Sequence, residues 1–258
     1  MTSLTEHQKQ FYKENGYLHV PRVFDAQTIL RLSDELDWIY SSWADHNAAW
    51  KGPWRDQYLS DEERQTATLI AINDMHLHSD IWNRATGDPR LVNLLGDLLG
   101  PNVELHHTTL HAKPPETGSP FPLHQDNAFF AHERPAFINA IIHIDDSPEE
   151  AGCLRFVPGS HLLGPLTHIR DGAPHLPTDR YSLSDTVPAP AEAGDVVFFC
   201  LWTVHGSDIN RTDLPRRVVR MGYRDPANPQ ADGFALGQYG WMVSGRRPKM
   251  EALAEMRR

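Results

Sequence analysis

His124 and Asp126 stand two residues apart in Phe121-Pro122-Leu123-His124-Gln125-Asp126-Asn127, and their neighbours make that stretch extended. A Pro/Gly-rich run from Lys113 to Pro120 leads into it and the aromatics Phe129 and Phe130 follow, a context that favours a strand over a helix. Side chains alternate along an extended chain, so the imidazole and the carboxylate share one side and Gln125 takes the other. Such a pair can hold two neighbouring corners of a metal's coordination sphere. A second imidazole would complete a two-His, one-carboxylate face whose open positions suit Fe(II) oxygen chemistry. A His and an Asp at this spacing are most often ordinary surface residues, so the pattern gains weight only from what lies downstream.

Downstream, Gly194-Asp195-Val196-Val197-Phe198-Phe199 reads as a turn entering an apolar strand, and His205-Gly206-Ser207 follows shortly after. Arg216 comes eleven residues after His205. A metal-binding His at a strand end with an Arg on the next strand is what binding a small dicarboxylate beside a metal requires. The metal takes the 2-oxo acid end and the guanidinium fork takes the distal carboxylate. Arg217 and Arg220 compete for that role, and the spacing to His205 selects Arg216.

A rival metal pattern is Met75-His76-Leu77-His78-Ser79-Asp80, which resembles the zinc-binding run of metallo-β-lactamase-type hydrolases. It continues with Ile81-Trp82 in place of a further His and a glycine-rich turn, which weighs against zinc hydrolysis by His76 and His78. His107 and His111 share one face of an alternating strand and are expected to pack or pair near a pocket mouth.

The elements around these residues change in kind along the chain. Thr5 with Gln8 three residues on predicts a capped helix ending at Gly16, and Tyr17–Val20 a short strand. Asp25 caps a longer helix whose Ile29, Leu32, Leu36 and Ile39 recur at helical spacing. Asp88-Pro89 opens another, through Leu91, Leu94, Leu95 and Leu98 to Gly100. Residues 41–64 are aromatic and polar without periodicity, and are expected to form a loop region or lid. After Gly100 the segments 103–112, 136–145, 152–157, 196–202 and 217–223 read as strands. Helices followed by many short strands predict a mainly β fold, a sandwich or barrel with a helical layer on one side.

At 258 residues with no linker-like stretch, the chain is expected to be one domain, helical flank and lid over 1–100 and stranded core over 101–225. The formal charge of −10 argues against nucleic acid or an anionic membrane as the main partner. Cys153 and Cys200 sit in apolar surroundings as free thiols, and no run resembles a signal peptide or membrane span, so a cytoplasmic protein is expected.

From Leu110 to Arg224 the chain resembles the phytanoyl-CoA dioxygenase family of Fe(II)/2-oxoglutarate oxygenases. The matching stretches are Lys113-Pro114-Pro115, Leu123-His124-Gln125-Asp126, Gly152-Cys153-Leu154 and Val157-Pro158-Gly159-Ser160-His161, then Gly194–Phe199 and His205-Gly206-Ser207 with Asn210 and Arg216. Phe11-Tyr12-Lys13-Glu14-Asn15-Gly16-Tyr17 is similar to the way that family begins, and no motif of the family stands out between Trp38 and Leu99. The resemblance implies a double-stranded β-helix, the jelly roll of cupin-like proteins. It implies iron held by His124, Asp126 and His205, and 2-oxoglutarate anchored by Arg216. It further implies O2 as co-reactant, ascorbate as supporting reductant, and hydroxylation of a C–H bond in a small molecule with release of succinate and CO2. Related halogenases carry a small residue in place of the carboxylate; Asp126 is present, so hydroxylation is the implied outcome, with desaturation or ring chemistry left open. A jelly roll that binds small molecules without chemistry is the alternative, and succinate formation separates the two.

Around that core, Lys113 and Ser207 are candidates to touch the cosubstrate, with a solvated lysine and a local turn hydrogen bond as equal alternatives. Asn127, Phe129, Trp202 and Arg220 are the candidates for substrate contact, and Trp202 reads more readily as core or pocket wall. Strand parity puts Arg220 on the face of Arg216 and Val218. A guanidinium there needs a partner. That partner is expected to be an acid such as Asp145 or Asp195, a run of backbone carbonyls, or an anionic group of the substrate.

Overall fold

The structure is a computed structural model that describes residues 3–44, 50–233, 236 and 238–248. Thr5 and Gln8 cap α1 (Glu6–Asn15) reciprocally, and Gly16, at φ 78°, ends it. The chain then enters β1 (Tyr17–Val20). The Asp25 carboxylate accepts from Thr28 N and starts α2 (Ala26–Trp43), which buries Ile29, Leu32, Leu36 and Ile39. The loop expected over 41–64 is partly helical instead. α2 runs on through Trp43, and α3 (Arg55–Tyr58) and α4 (Asp61–Thr66) follow, the latter capped by Ser60 and Glu63. Helices this short show no repeat of apolar positions, so periodicity could not reveal them; residues 45–49 of that stretch lie outside the described residues. β2 (Ile70–Asn73), α5 (Asp80–Ala85) and α6 (Pro89–Leu99) complete the first part, α6 starting at Asp88-Pro89 and burying Leu91, Leu94 and Leu95.

The remainder is stranded as expected: β3 (Val103–Lys113), β4 (Phe121–His124), β5 (Phe130–His132), β6 (Phe137–His143), β7 (Leu154–Phe156), β8 (Val187–Ala189), β9 (Val196–Cys200), β10 (His205–Ser207), β11 (Arg216–Arg224), β12 (Gln230–Gly233) and β13 (Trp241–Ser244). The large sheet runs β1-β9-β6-β11-β3-β13, with β2 also on β3, and the small one runs β4-β10-β7-β8. All pairings are antiparallel. β1, β2 and β13 extend the large sheet with residues from outside 101–225.

Parity divides the large sheet into two faces. Ile138, Ala140 and Ile142 of β6, with Val219, Met221 and Tyr223 of β11, pack on Leu32, Leu36, Leu91 and Leu95 of the helices. Ile141 and Val218 turn the other way, with Val197 and Phe199, to meet Leu154 and Phe156 of the small sheet. Each such aliphatic side chain contributes roughly 1.5–3 kcal/mol by leaving water. Two sheets face to face with helices on one outer face is the jelly roll with helical layer that the sequence implied. Cys153 and Cys200 are buried and free. Among the described residues no helix is long and apolar enough to cross a membrane.

Candidate active site

β4 and β10 are antiparallel neighbours, and their register sets His205 opposite His124 with ring centroids 4.2 Å apart. Each Nδ1 meets a backbone carbonyl two residues earlier, His124 to Pro122 O at 2.8 Å and His205 to Thr203 O at 3.0 Å. A carbonyl only accepts, so both Nδ1 atoms carry the proton and both Nε2 atoms present a bare lone pair. Asp126 opens a short turn (Asp126–Ala128) directly after Gln125, and its Oδ1 lies 3.3 Å from His124 Nε2 and 3.8 Å from His205 Nε2. Gln125 points away, as alternation requires, donating to Gly164 O and Trp202 O and accepting from Leu166 N.

Burial opposes ionisation of Asp126, but the Arg220 charge outweighs it and holds its carboxyl well below the usual range. Burial, then His124, pushes His205 down to about 3. Three lone pairs thus converge, their atoms all within 4.8 Å of one another, and Asp126 Oδ1 is buried with no hydrogen-bond partner. An orphaned carboxylate oxygen facing two proton-free nitrogens is heavily penalised unless a cation sits between them. The residues therefore fit a metal ion.

The other oxygen of Asp126 is fully engaged. Oδ2 accepts from Arg220 Nη1 at 3.0 Å and from Asn139 Nδ2 at 2.9 Å. This corrects the partner expected for Arg220. Asp145 is taken by Arg217, and Asp195 by His19 and the backbone N–H groups of Arg22 and Glu192. Asn139 was not foreseen. Its signal was a lone amide in the apolar run Phe137-Ile138-Asn139-Ala140-Ile141-Ile142, where a buried polar group implies a specific partner.

Arg216 stands where β11 faces Lys113 of β3, and is 2 % exposed. Its Nη2 donates to Gly152 O at 2.7 Å, while Nε is buried without a partner. Lys113 Nζ donates to Ser207 Oγ at 2.8 Å and to Asp208 O. Burial, with the Arg216 charge next, holds the Lys113 ammonium well below its usual range. Arg217 faces the opposite way onto Asp145, Asp37 and Ser33. Arg216, Ser207 and the triad line one pocket, whose apolar walls include Ile141, Leu154 and Val218.

That pocket shares Trp50, His111 and Arg220 with a larger cavity of about 620 Å³ that also takes in Phe129, Phe130, His106 and His107. Trp50 packs over His124 and Phe129, at 4.7 and 5.0 Å between centroids. His111 and His107 therefore do sit at the pocket. Asn127 and Trp202 do not line either space. Asn127 Oδ1 accepts from Trp202 Nε1 and from His132 N, both at 3.1 Å, so the substrate contact expected of this pair is replaced by a scaffold bond. Asn210 is likewise occupied with backbone carbonyls of Lys113, Pro114 and Leu214. The zinc pattern is not assembled. His76 Nδ1 meets Thr108 Oγ1, His78 stacks on Trp43, and among the described residues neither belongs to a metal-binding group.

Fold and site together define a jelly-roll protein with a two-His, one-carboxylate metal face and a guanidinium at its far wall. The chain belongs to the phytanoyl-CoA dioxygenase (PhyH) family, whose sequence profile matches residues 12–218. It is 27% identical, over 96% of this chain and 89% of the relative, to a probable alpha-ketoglutarate-dependent hypophosphite dioxygenase of Stutzerimonas stutzeri. It is 26% identical to an ectoine dioxygenase of Bordetella parapertussis, over 88% and 77% of the two chains. The solved epimerase SnoN in complex with Fe3+, alpha ketoglutarate and nogalamycin RO superposes with a TM-score of 0.71, at 26% identity and over 94% and 96% of the two chains.

Proposed function

We propose that the protein is an Fe(II)/2-oxoglutarate-dependent oxygenase that hydroxylates a C–H bond of a small molecule. The observation that carries this reading is the convergence of three unprotonated ligand atoms from His124, Asp126 and His205 beside the buried Arg216. When bound by His124, Asp126 and His205, Fe(II) with 2-oxoglutarate would supply dioxygen activation, with one oxygen atom going to succinate as CO2 leaves and the other into the substrate's C–H bond. The chain's own share is orientation. His124 and His205 offer Nε2 because their Nδ1 protons are tied to the backbone. Asp126 offers Oδ1 because Arg220 and Asn139 hold Oδ2. Arg216, through its free Nε–H, with Lys113 and Ser207 beside it, receives the distal carboxylate of 2-oxoglutarate. Ile141, Leu154 and Val218 wall its methylenes, and Trp50 and Phe129 exclude water from the triad.

Two measurements test this. Anaerobic addition of Fe(II) and 2-oxoglutarate should give a weak visible charge-transfer band, and air should then release succinate, with ascorbate sustaining turnover. His124→Ala or His205→Ala should abolish both signals while the melting temperature stays near that of the unaltered protein. Undiminished succinate formation in either variant rules the triad out.

A further inference from the structure

The cavity of about 620 Å³ beyond the triad is chemically polarised. Arg220 lines both it and the triad pocket, so it marks the inner end. Its Nη1 is held by Asp126, and its Nε is buried with no hydrogen-bond partner among the described residues. Asp74, exposed at the opening, is the other formally charged wall residue among those described. The three histidines between them add no charge. Burial lowers His106 to about 4, and burial with the Arg220 charge holds His107 and His111 well below the usual imidazole range.

The hydrogen-bond chain behind His107 gives its ring a definite sense. Gln230 Nε2 donates to Asp232 O, so Gln230 Oε1 is the acceptor facing His106 Nε2 at 2.8 Å. His106 therefore carries its proton on Nε2 and accepts at Nδ1. His107 Nδ1, 2.8 Å away, must be the donor. What remains on His107 is Nε2 with a bare lone pair, buried and without a partner among the described residues. Gly222 lies opposite His107 in the β11–β3 register, and a Cβ there would come within 2.7 Å of the imidazole Cε1. The glycine keeps room for the ring.

An acceptor-only nitrogen calls for an N–H or O–H from the ligand. Asp74, the one negative charge among the described wall residues, favours a cationic group on that side of the cavity. At the inner end, Fe(II) and the 2-oxoglutarate dianion would cancel when bound, and Asp126 cancels one of the two guanidinium charges of Arg216 and Arg220. With the buried Lys113 amine, held well below its usual range, counted as neutral, one positive charge is left, which favours a further anion. We propose that this cavity takes a small zwitterion, with its carboxylate or other oxyanion at the Arg220 end and its N–H-bearing cation between His107 and Asp74. The assignment rests on the oxygenase reading above and names the substrate class of that site.

Anaerobic calorimetry on the protein loaded with Fe(II) and 2-oxoglutarate tests it with matched probes: γ-aminobutyrate, butyrate and butylamine; proline, cyclopentanecarboxylate and pyrrolidine; aminomethylphosphonate, methylphosphonate and methylamine. In at least one set the zwitterion should bind about tenfold more tightly than either partner. His107→Phe should erase its advantage over the bare anion and leave the bare anion's affinity unchanged. Asp74→Asn, which suits the positive φ of 49° at that position, should weaken the zwitterion alone by about fivefold. Equal binding within every set, binding of no zwitterion, or an equal loss for all probes in His107→Phe overturns the assignment. Failure of Fe(II) or 2-oxoglutarate to bind in the loading step is a separate outcome that overturns the oxygenase reading and the assignment that rests on it.

Discussion

Arg220 Nη1 donates to Oδ2 of Asp126 at 3.0 Å, while Oδ1 of the same carboxylate is bare and turned toward the two imidazoles. The two oxygens thus have different tasks, one held by the protein and one free for a metal. Groups that orient a ligand in this way typically alter metal affinity ten- to a hundredfold when lost. Asn139→Leu should accordingly weaken Fe(II) binding by about tenfold, read in an anaerobic titration, with a smaller change in melting temperature. Arg220→Gln should do the same and Arg220→Lys should recover part of it. Unchanged metal affinity in both Asn139→Leu and Arg220→Gln would show that Asp126 holds its orientation unaided.

Adjacent strand positions separate Arg216 from Arg217. Arg216 is 2 % exposed beside Lys113 and Ser207, whereas Arg217 lies on the outer face against Asp145 and Asp37. Loss of a charge-assisted pair with a carboxylate costs about 1.5–3 kcal/mol, or roughly ten- to a hundredfold in affinity. Arg216→Ala should raise the dissociation constant for 2-oxoglutarate by that amount, and Arg217→Ala should leave it within about twofold. Equal effects from the two would remove Arg216 from the cosubstrate site.

Trp50 covers the triad from the side of the larger cavity, packing on His124, Phe121 and Phe129. Solvent-borne reductant such as ascorbate, admitted at that edge, would discharge the oxidant in place of substrate and sustain unproductive turnover. Trp50→Ala should therefore raise succinate formation in the absence of substrate severalfold relative to the unaltered protein. A background turnover that does not move would mean that the indole shields nothing.

Several histidines are buried neutral, and this sets the response of the metal-free protein to acid. Burial is the leading cause in each: His143 and His132 are lowered to about 3, His106 and His168 to about 4. In the unfolded chain they titrate near 6.5, so below that pH the unfolded state binds protons that the native state does not. Stability then falls as pH falls, from about 6.5 down to the native values of about 3–4. His143 alone, fully buried and lowered to about 3, accounts for about 2 kcal/mol of that loss near pH 5. Urea midpoints should drop steadily between pH 7 and roughly pH 5, and His143→Leu should flatten the curve. A midpoint independent of pH across that range would contradict the buried neutral state.

Local rules put His124 and Asp126 on one side and announced most of the elements around them, while the full ligand set with His205 was what the family resemblance implied. His124 and Asp126 face together because a strand repeats every two residues, Arg216 and Arg217 separate for the same reason, and Thr5, Asp25 and Asp88 announced their helices by side-chain caps. The control of Asp126 was not legible in this way. Asn139 and Arg220 reach its Oδ2 from 13 and 94 residues away, and they meet there because β6 and β11 are neighbours in the large sheet while β4 belongs to the small one. The proton order through Gln230, His106 and His107 likewise joins two separate segments, β12 and β3, 124 residues apart. Strand pairing across such distances is decided by which faces bury together when the sheets close, and no periodicity within either segment records it.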